Sequence, residues 1–175
     1  MKFLPYTAID GIPTFPDSFI LGLFERMQEE GLVETVFYDG RIKTAEDFLR
    51  MMKGMNQLWV VKFNGEIAGF FWLNNFDMRK AEFHFCFFDN LRGTDALEAG
   101  RKITGMLINM KDLAGFPLYD LLYGLTEVTN EPARYWCESL GYQHFGVIPA
   151  ALWNARLQKS VPAHYWYVER GKWNG

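Results

Sequence analysis

The stretch from Asn130 to Tyr142 constrains this chain more than any other. Upstream of it, Leu121-Leu122-Tyr123-Gly124-Leu125-Thr126 is an apolar run short enough to be a buried strand. Asn130 then has the chemistry of a helix N-cap, because its side-chain oxygen can accept a backbone N–H that the first helical turn leaves unpaired. Glu131 and Pro132 fall in that first turn, where a carboxylate complements the helix dipole and proline's missing N–H costs nothing. Gly141 stops the helix, since it can adopt the left-handed conformation often needed just past a helix end, and Tyr142 to Val147 returns to strand. Strand, capped helix and strand make one compact corner, and the corner alone implies no chemistry.

The other elements follow from local pattern. Asp17 or Ser18 is expected to cap a helix whose apolar positions are Phe19, Ile20, Leu23, Phe24 and Met27, closed by Gly31. Thr44-Ala45-Glu46-Asp47 resembles a capping box with Asp in place of Glu, and Phe48, Leu49 and Met52 supply the buried stripe of a second helix. Asn64-Gly65 separates the β-rich runs Leu58 to Phe63 and Ile67 to Leu73, which predicts an antiparallel hairpin with a type I′ turn. Ala81 to Phe88 alternates, with Phe83, Phe85 and Phe87 on one face and Glu82, His84, Cys86 and Phe88 on the other. Leu97, Ile103, Leu107 and Met110 space a long helix, which leads through Gly115-Phe116-Pro117 to the corner. Strands around Gln143 to Val147 and Ala163 to Glu169 finish the chain.

Composition narrows the class. A chain of 175 residues that is 49% hydrophobic suits one well-buried domain spanning residues 1–175. Its 17% aromatic content fits a thick mixed core or an aromatic-lined pocket. The net charge of −3, with no basic cluster interleaved with aromatics, argues against nucleic acid as a partner. Met1 to Pro5 carries no long apolar segment, and no run approaches the ~20 apolar residues needed to span a bilayer, so a cytoplasmic protein without a membrane partner is expected. Cys86 and Cys137 lie inside predicted elements and read as buried thiols rather than a disulfide. His84, His144 and His164 are far apart in sequence and lack ligand spacing, so no metal site is expected.

Helix, helix, hairpin, strand, helix, strand, helix, strands is an order that resembles the GCN5-related N-acetyltransferases (GNAT), over roughly residues 17 to 170. Asn130, Ala133, Gly141 and Tyr142 occupy the asparagine, small, glycine and aromatic positions of that family's C-terminal signature, and Cys137 stands where the signature has tyrosine. The resemblance implies an α/β (α+β) fold: a central mixed, mostly antiparallel twisted sheet of about six to seven strands flanked by about four helices. It also implies acetyl-CoA as co-substrate. The family's pyrophosphate loop has its counterpart in Asn90-Leu91-Arg92-Gly93-Thr94-Asp95, where small residues let backbone N–H groups approach phosphates at a helix N-terminus. Arg92, Gly93 and Thr94 are candidate cofactor contacts there. Asp95 departs from the pattern: it is either part of a shifted phosphate loop or the N-cap of the long helix, with Glu98 completing an Asp-x-x-Glu box. Arg101 and Lys102 either add positive charge for phosphates or lie on a solvated helix face.

By the same resemblance, the mechanism is attack of a neutral amine on an acetyl thioester. Backbone donors near Phe85, Cys86, Phe87 and Phe88 would polarise the thioester carbonyl, Glu82 or His84 would help remove the amine proton, and Cys137, or Tyr135 in another helix register, would protonate the departing thiolate. Asn130 would bond the pantetheine arm. The acceptor would be an amine on a small molecule or a protein, chosen by the first two helices and the loops near Arg41 and the C-terminal hairpin. The alternative is a non-catalytic domain of the same fold that serves as an interaction module, which Asp95 and Cys137 favour. A homodimer through the apolar last strands is a further expectation.

Overall fold

The structure, a computed structural model, describes residues Met1–Asn174. In chain order the elements are β1 (Lys2–Pro5), β2 (Ala8–Ile9), β3 (Ile12–Pro13), α1 (Asp17–Glu29), α2 (Val33–Val36), α3 (Ala45–Lys53), β4 (Gln57–Phe63), β5 (Glu66–Asp77), β6 (Lys80–Phe87), α4 (Gly93–Ile108), β7 (Leu121–Glu127), α5 (Glu131–Ser139), β8 (Gln143–Asn154) and β9 (Lys159–Glu169). Seven strands form one sheet in the order β1-β4-β5-β6-β7-β9-β8, and β2 pairs with β3 apart from it. The sheet is mixed: β4–β5 and β7–β9 are antiparallel, while β6 and β7 run parallel, pairing Lys80–Glu82 with Leu121–Tyr123. The expected α+β fold with a mixed sheet of six to seven strands is present, with seven. The additional helix is α2, a single turn whose four residues are too few to show a hydrophobic period.

The chain divides into two compact units that interleave in sequence. The first comprises Met1–Asn74, His84–Arg92 and Asn154–Lys159. Its core gathers Ile20, Leu23, Phe24 and Met27 of α1 and Phe48 and Met52 of α3 with Phe70, Trp72 and Phe88. The N-cap of α1 is Pro16, not Asp17 or Ser18, and makes no side-chain cap bond. Pro16 already holds the extended conformation a cap needs, so Asp17 is displaced into the first turn and pairs with Lys53 at 2.8 Å. Thr44 and Asp47 form the expected reciprocal capping box. Asn64 and Gly65 both have positive φ, 51° and 90°, as a type I′ turn requires. The β4–β5 register shifts between Val61 and Lys62, so Ala68 bulges from β5. Beside it Gly69 has φ 148°, and a Cβ there would overlap the Cys86 carbonyl oxygen and lie 2.9 Å from Phe87 Cα. Only glycine lets β6 come this close.

The second unit comprises Asn75–Phe83, Gly93–Trp153 and the residues from Ser160 on. Helix α4 buries Ala96, Ala99, Gly100, Ile103, Thr104, Leu107 and Ile108, a stripe of clean helical period. It ends at Ile108, so Met110, expected within it, lies beyond it, where its carbonyl accepts from Leu118 N–H at 2.9 Å. Gly100 sets the α4–α5 approach, since a Cβ there would stand 2.6 Å from Trp136 and 2.7 Å from Leu140. Thr104 and Tyr142 share a buried hydroxyl hydrogen bond at 2.5 Å. The N-cap of α5 is Asn130 as expected, its Oδ1 accepting from Ala133 N–H at 3.1 Å. Both last strands are longer than their apolar runs: β8 continues from Val147 to Asn154, and β9 starts at Lys159 rather than Ala163.

Candidate functional site

Two segments carry the residues singled out by sequence: β6 with the loop behind it, and α4 and α5 with their caps. In the first unit, His84 points to the face shared with Trp72, its ring stacked on the indole at 4.5 Å and 8°. Its Nε2 lies 3.0 Å from Asn74 Oδ1, so with the amide oriented this way Nε2 donates. Burial pushes the imidazole pKa down to about 4. A base this weak is poorly matched to an alkylammonium of about 10.4. Phe85 turns to the other face, against Phe71, as the alternation predicts.

Cys86 is buried, and burial pushes its thiol up to about 12. Phe88 is wholly buried, with the Arg26 guanidinium 4.1 Å over its ring. Its N–H donates to Ala68 carbonyl at 3.0 Å and is therefore already engaged. The Phe87 carbonyl accepts from Arg92 Nη1 at 2.6 Å, and Arg92 Nη2 pairs with Asp89 at 2.8 Å. Arg92 thus braces the end of β6.

The loop is gripped by α1, which sequence reasoning did not foresee. Glu30 Oε2 accepts from Asp89 N–H at 2.8 Å, and Arg26 Nη2 donates to Asn90 Oδ1 at 3.1 Å. Asn90, at the position of the resemblance's polar loop residue, also donates to Ile67 carbonyl at 3.0 Å. The only sequence signal for this clamp was the i,i+4 spacing of Arg26 and Glu30, which pair at 2.8 Å.

In the second unit, Gly93 opens α4 with φ 60°, and Thr94 and Asp95 are exposed in its first turn. Asp95 is therefore not the N-cap. The helix begins two residues earlier because Gly93 can take the positive φ at the entry, and Glu98 pairs with Lys102 instead of closing a capping box. Backbone N–H groups at such a start can bind an anion, and the Asp95 carboxylate competes with one for the same dipole. Arg101 donates to Ser139 carbonyl at 2.9 Å, so it and Lys102 serve the helix surface.

Glu82 accepts from Asn75 Nδ2 at 2.5 Å. Tyr135 is 65% exposed on α5. Cys137 is buried on the same helix, and burial pushes its thiol up to about 12. Against a free thiol near 8.5, a donor at that value transfers its proton uphill by about 5 kcal/mol. Cys137 is placed as packing. Asn130 uses its side-chain oxygen for the cap, which does not engage the amide nitrogen.

Sequence distance also hid a pair. His144 on β8 and His164 on β9, 20 positions apart, bring Nε2 and Nδ1 to 2.9 Å, with His144 4.6 Å from Trp166. Among the described residues no group of three or more His, Cys, Asp or Glu side chains is placed to hold a metal ion. No helix among them is long and apolar enough to cross a membrane.

No protein-family model and no curated protein matches the sequence. Solved structures do match. A mutant of spermidine N-acetyltransferase SpeG from Vibrio cholerae aligns over 98% of this chain and 96% of its own, with a TM-score of 0.71 at 12% identity. The ribosomal-protein alpha-N-acetyltransferase RimL, solved with coenzyme A in a disulfide to one of its cysteines, aligns over 89% and 90% with a TM-score of 0.68 at 9% identity. The microcin self-immunity acetyltransferase MccE, solved with acetyl-CoA and AMP, aligns over 88% of both chains with a TM-score of 0.66 at 12% identity. The chain has the GNAT fold.

Proposed function

We propose that this protein is an acetyl-CoA-dependent N-acetyltransferase acting on a primary amine of a small molecule or protein. The observation that carries this reading is the likeness of nearly the whole chain to N-acetyltransferases, including structures solved with coenzyme A or acetyl-CoA. In this reading the pyrophosphate meets the N–H groups at the start of α4, from Gly93 to Asp95. The thioester carbonyl accepts from β6. Phe88 N–H is already bonded to Ala68, so the donor lies earlier on β6. The amine nitrogen attacks the carbonyl carbon, the C–S bond breaks, the amine proton leaves through Glu82 or water, and the thiolate takes a proton from Tyr135 or solvent. His84 and Cys137 orient and pack. A non-catalytic module of the same fold is the second reading, favoured by Asp95 in the first turn of α4.

Thermal denaturation with acetyl-CoA, free CoA and ATP separates them. A ligand at a hundred times its dissociation constant adds ~2.7 kcal/mol, so the two CoA species should raise the melting temperature and ATP should not. No shift at millimolar CoA sinks the enzyme reading. Should CoA bind, Asp95→Asn should tighten it by removing a charge that repels the phosphates.

A further inference from the structure

We infer that His144 and His164 form a two-imidazole chelate for a divalent transition-metal ion of copper(II) or nickel(II) type. The two nitrogens are held 2.9 Å apart on neighbouring strands of the second unit. With metal–nitrogen bonds of about 2.05 Å, the same separation subtends about 90° at the ion, the cis angle of square-planar and octahedral centres, once both rings turn from their mutual hydrogen bond so that their lone pairs converge on the ion. A tetrahedral ion such as zinc needs about 3.3 Å between the same atoms.

Both rings are reachable, since His144 is exposed and His164 half-buried. His84 is no rival, stacked on Trp72 and bonded to Asn74. Packing holds the pair: the His144 ring tilts against Trp166, whose Nε1 donates to Thr126 Oγ1 at 2.9 Å. The charges acting on His164 from α5 are Glu131, Arg134 and Glu138. Arg134 bonds both carboxylates, at 2.6 and 2.8 Å, so this surface does not repel a cation. In the free pair one nitrogen donates to the other. On metal binding that proton moves to the far nitrogen of its own ring, so both rings present lone pairs to the ion.

The test is titration of the whole chain with copper(II) sulfate, nickel(II) sulfate and zinc sulfate, by calorimetry and, for copper, electron paramagnetic resonance. One copper per chain with hyperfine coupling from two imidazole nitrogens is expected, and nickel should bind more tightly than zinc. His144→Ala and His164→Ala should each weaken copper binding at least about tenfold, a loss set by one ligand of two. If either alanine variant fails to fold, His144→Gln and His164→Gln keep the bulk and must show the same loss. Copper affinity unchanged in the double variant, or zinc tighter than nickel, overturns the proposal. Neither outcome depends on whether CoA binds.

Discussion

His84 is held where charge is disfavoured. The indole of Trp72 covers one face of its ring, Asn74 takes one nitrogen, and burial lowers the pKa to about 4. Unfolding returns the imidazole to about 6.5, so the unfolded chain binds the extra proton first as pH falls. The stability His84 provides is full above the unfolded value and is lost as pH drops towards 4, amounting to about 2 kcal/mol between pH 8 and pH 5. Urea unfolding at these two pH values should show His84→Phe losing about 2 kcal/mol less across the interval than the parent chain. Equal losses would show that His84 titrates normally. Alternation placed this ring on its face of β6 from sequence alone. Its suppressed basicity was not legible, because the desolvating partner comes from β5, ten or more residues away. The same holds for Cys137, whose position in α5 was readable and whose burial was not.

At the scale of elements, what was legible is what closes locally. The Thr44–Asp47 box, the Asn64-Gly65 turn and the Asn130 cap each bond within a few residues, and each is present. The start of α4 stayed open in the sequence because two residues, Gly93 and Asp95, both carry helix-entry chemistry, and only the backbone decides between them. Strand β1 was not anticipated, since its four residues are ordered by partners Trp59–Lys62 of β4, far along the chain. Helix α5 offers the sharpest test at this scale, because substitution can separate the oxygen of the Asn130 side chain, which makes the cap, from its amide nitrogen. Asn130→Asp keeps an oxygen for Ala133 N–H and should leave stability within about 0.5 kcal/mol, whereas Asn130→Ala should cost about 1 kcal/mol by loss of the cap. If the amide nitrogen also bonds the pantetheine arm, both variants raise KM for acetyl-CoA alike. A KM raised only in Asn130→Ala would assign the residue to the cap alone.

At the scale of the whole molecule, the strand order leaves two sheet edges of opposite character. The edge at β1 is four residues long and carries Lys2 and Pro5, both of which discourage a further strand from pairing. The edge at β8 is twelve residues long, from Gln143 to Asn154, and contains no Asp, Glu, Lys or Arg. Phe145, Val147 and Trp153 along it are 76%, 50% and 46% exposed. Pro149 interrupts this edge as Pro5 does the other, so the stretch open to another chain is residues 143–148, apolar and without a charged gatekeeper, whether the product is an ordered dimer or an aggregate. The last apolar run, legible in the sequence as far as Val147, supported the expectation of a homodimer; its continuation to Asn154 was not legible, because Pro149 and Ala150, whose φ is 51°, interrupt the alternation. Phe145→Lys with Val147→Lys places two like charges on this edge. Sedimentation velocity over a concentration series should then show less self-association than in the parent chain, while the melting temperature of dilute protein stays within a few degrees because neither side chain is buried. Unchanged self-association in the lysine variant would clear β8 of this role, and loss of dilute-protein stability would mean that the exposed face is needed to hold the strand in the sheet.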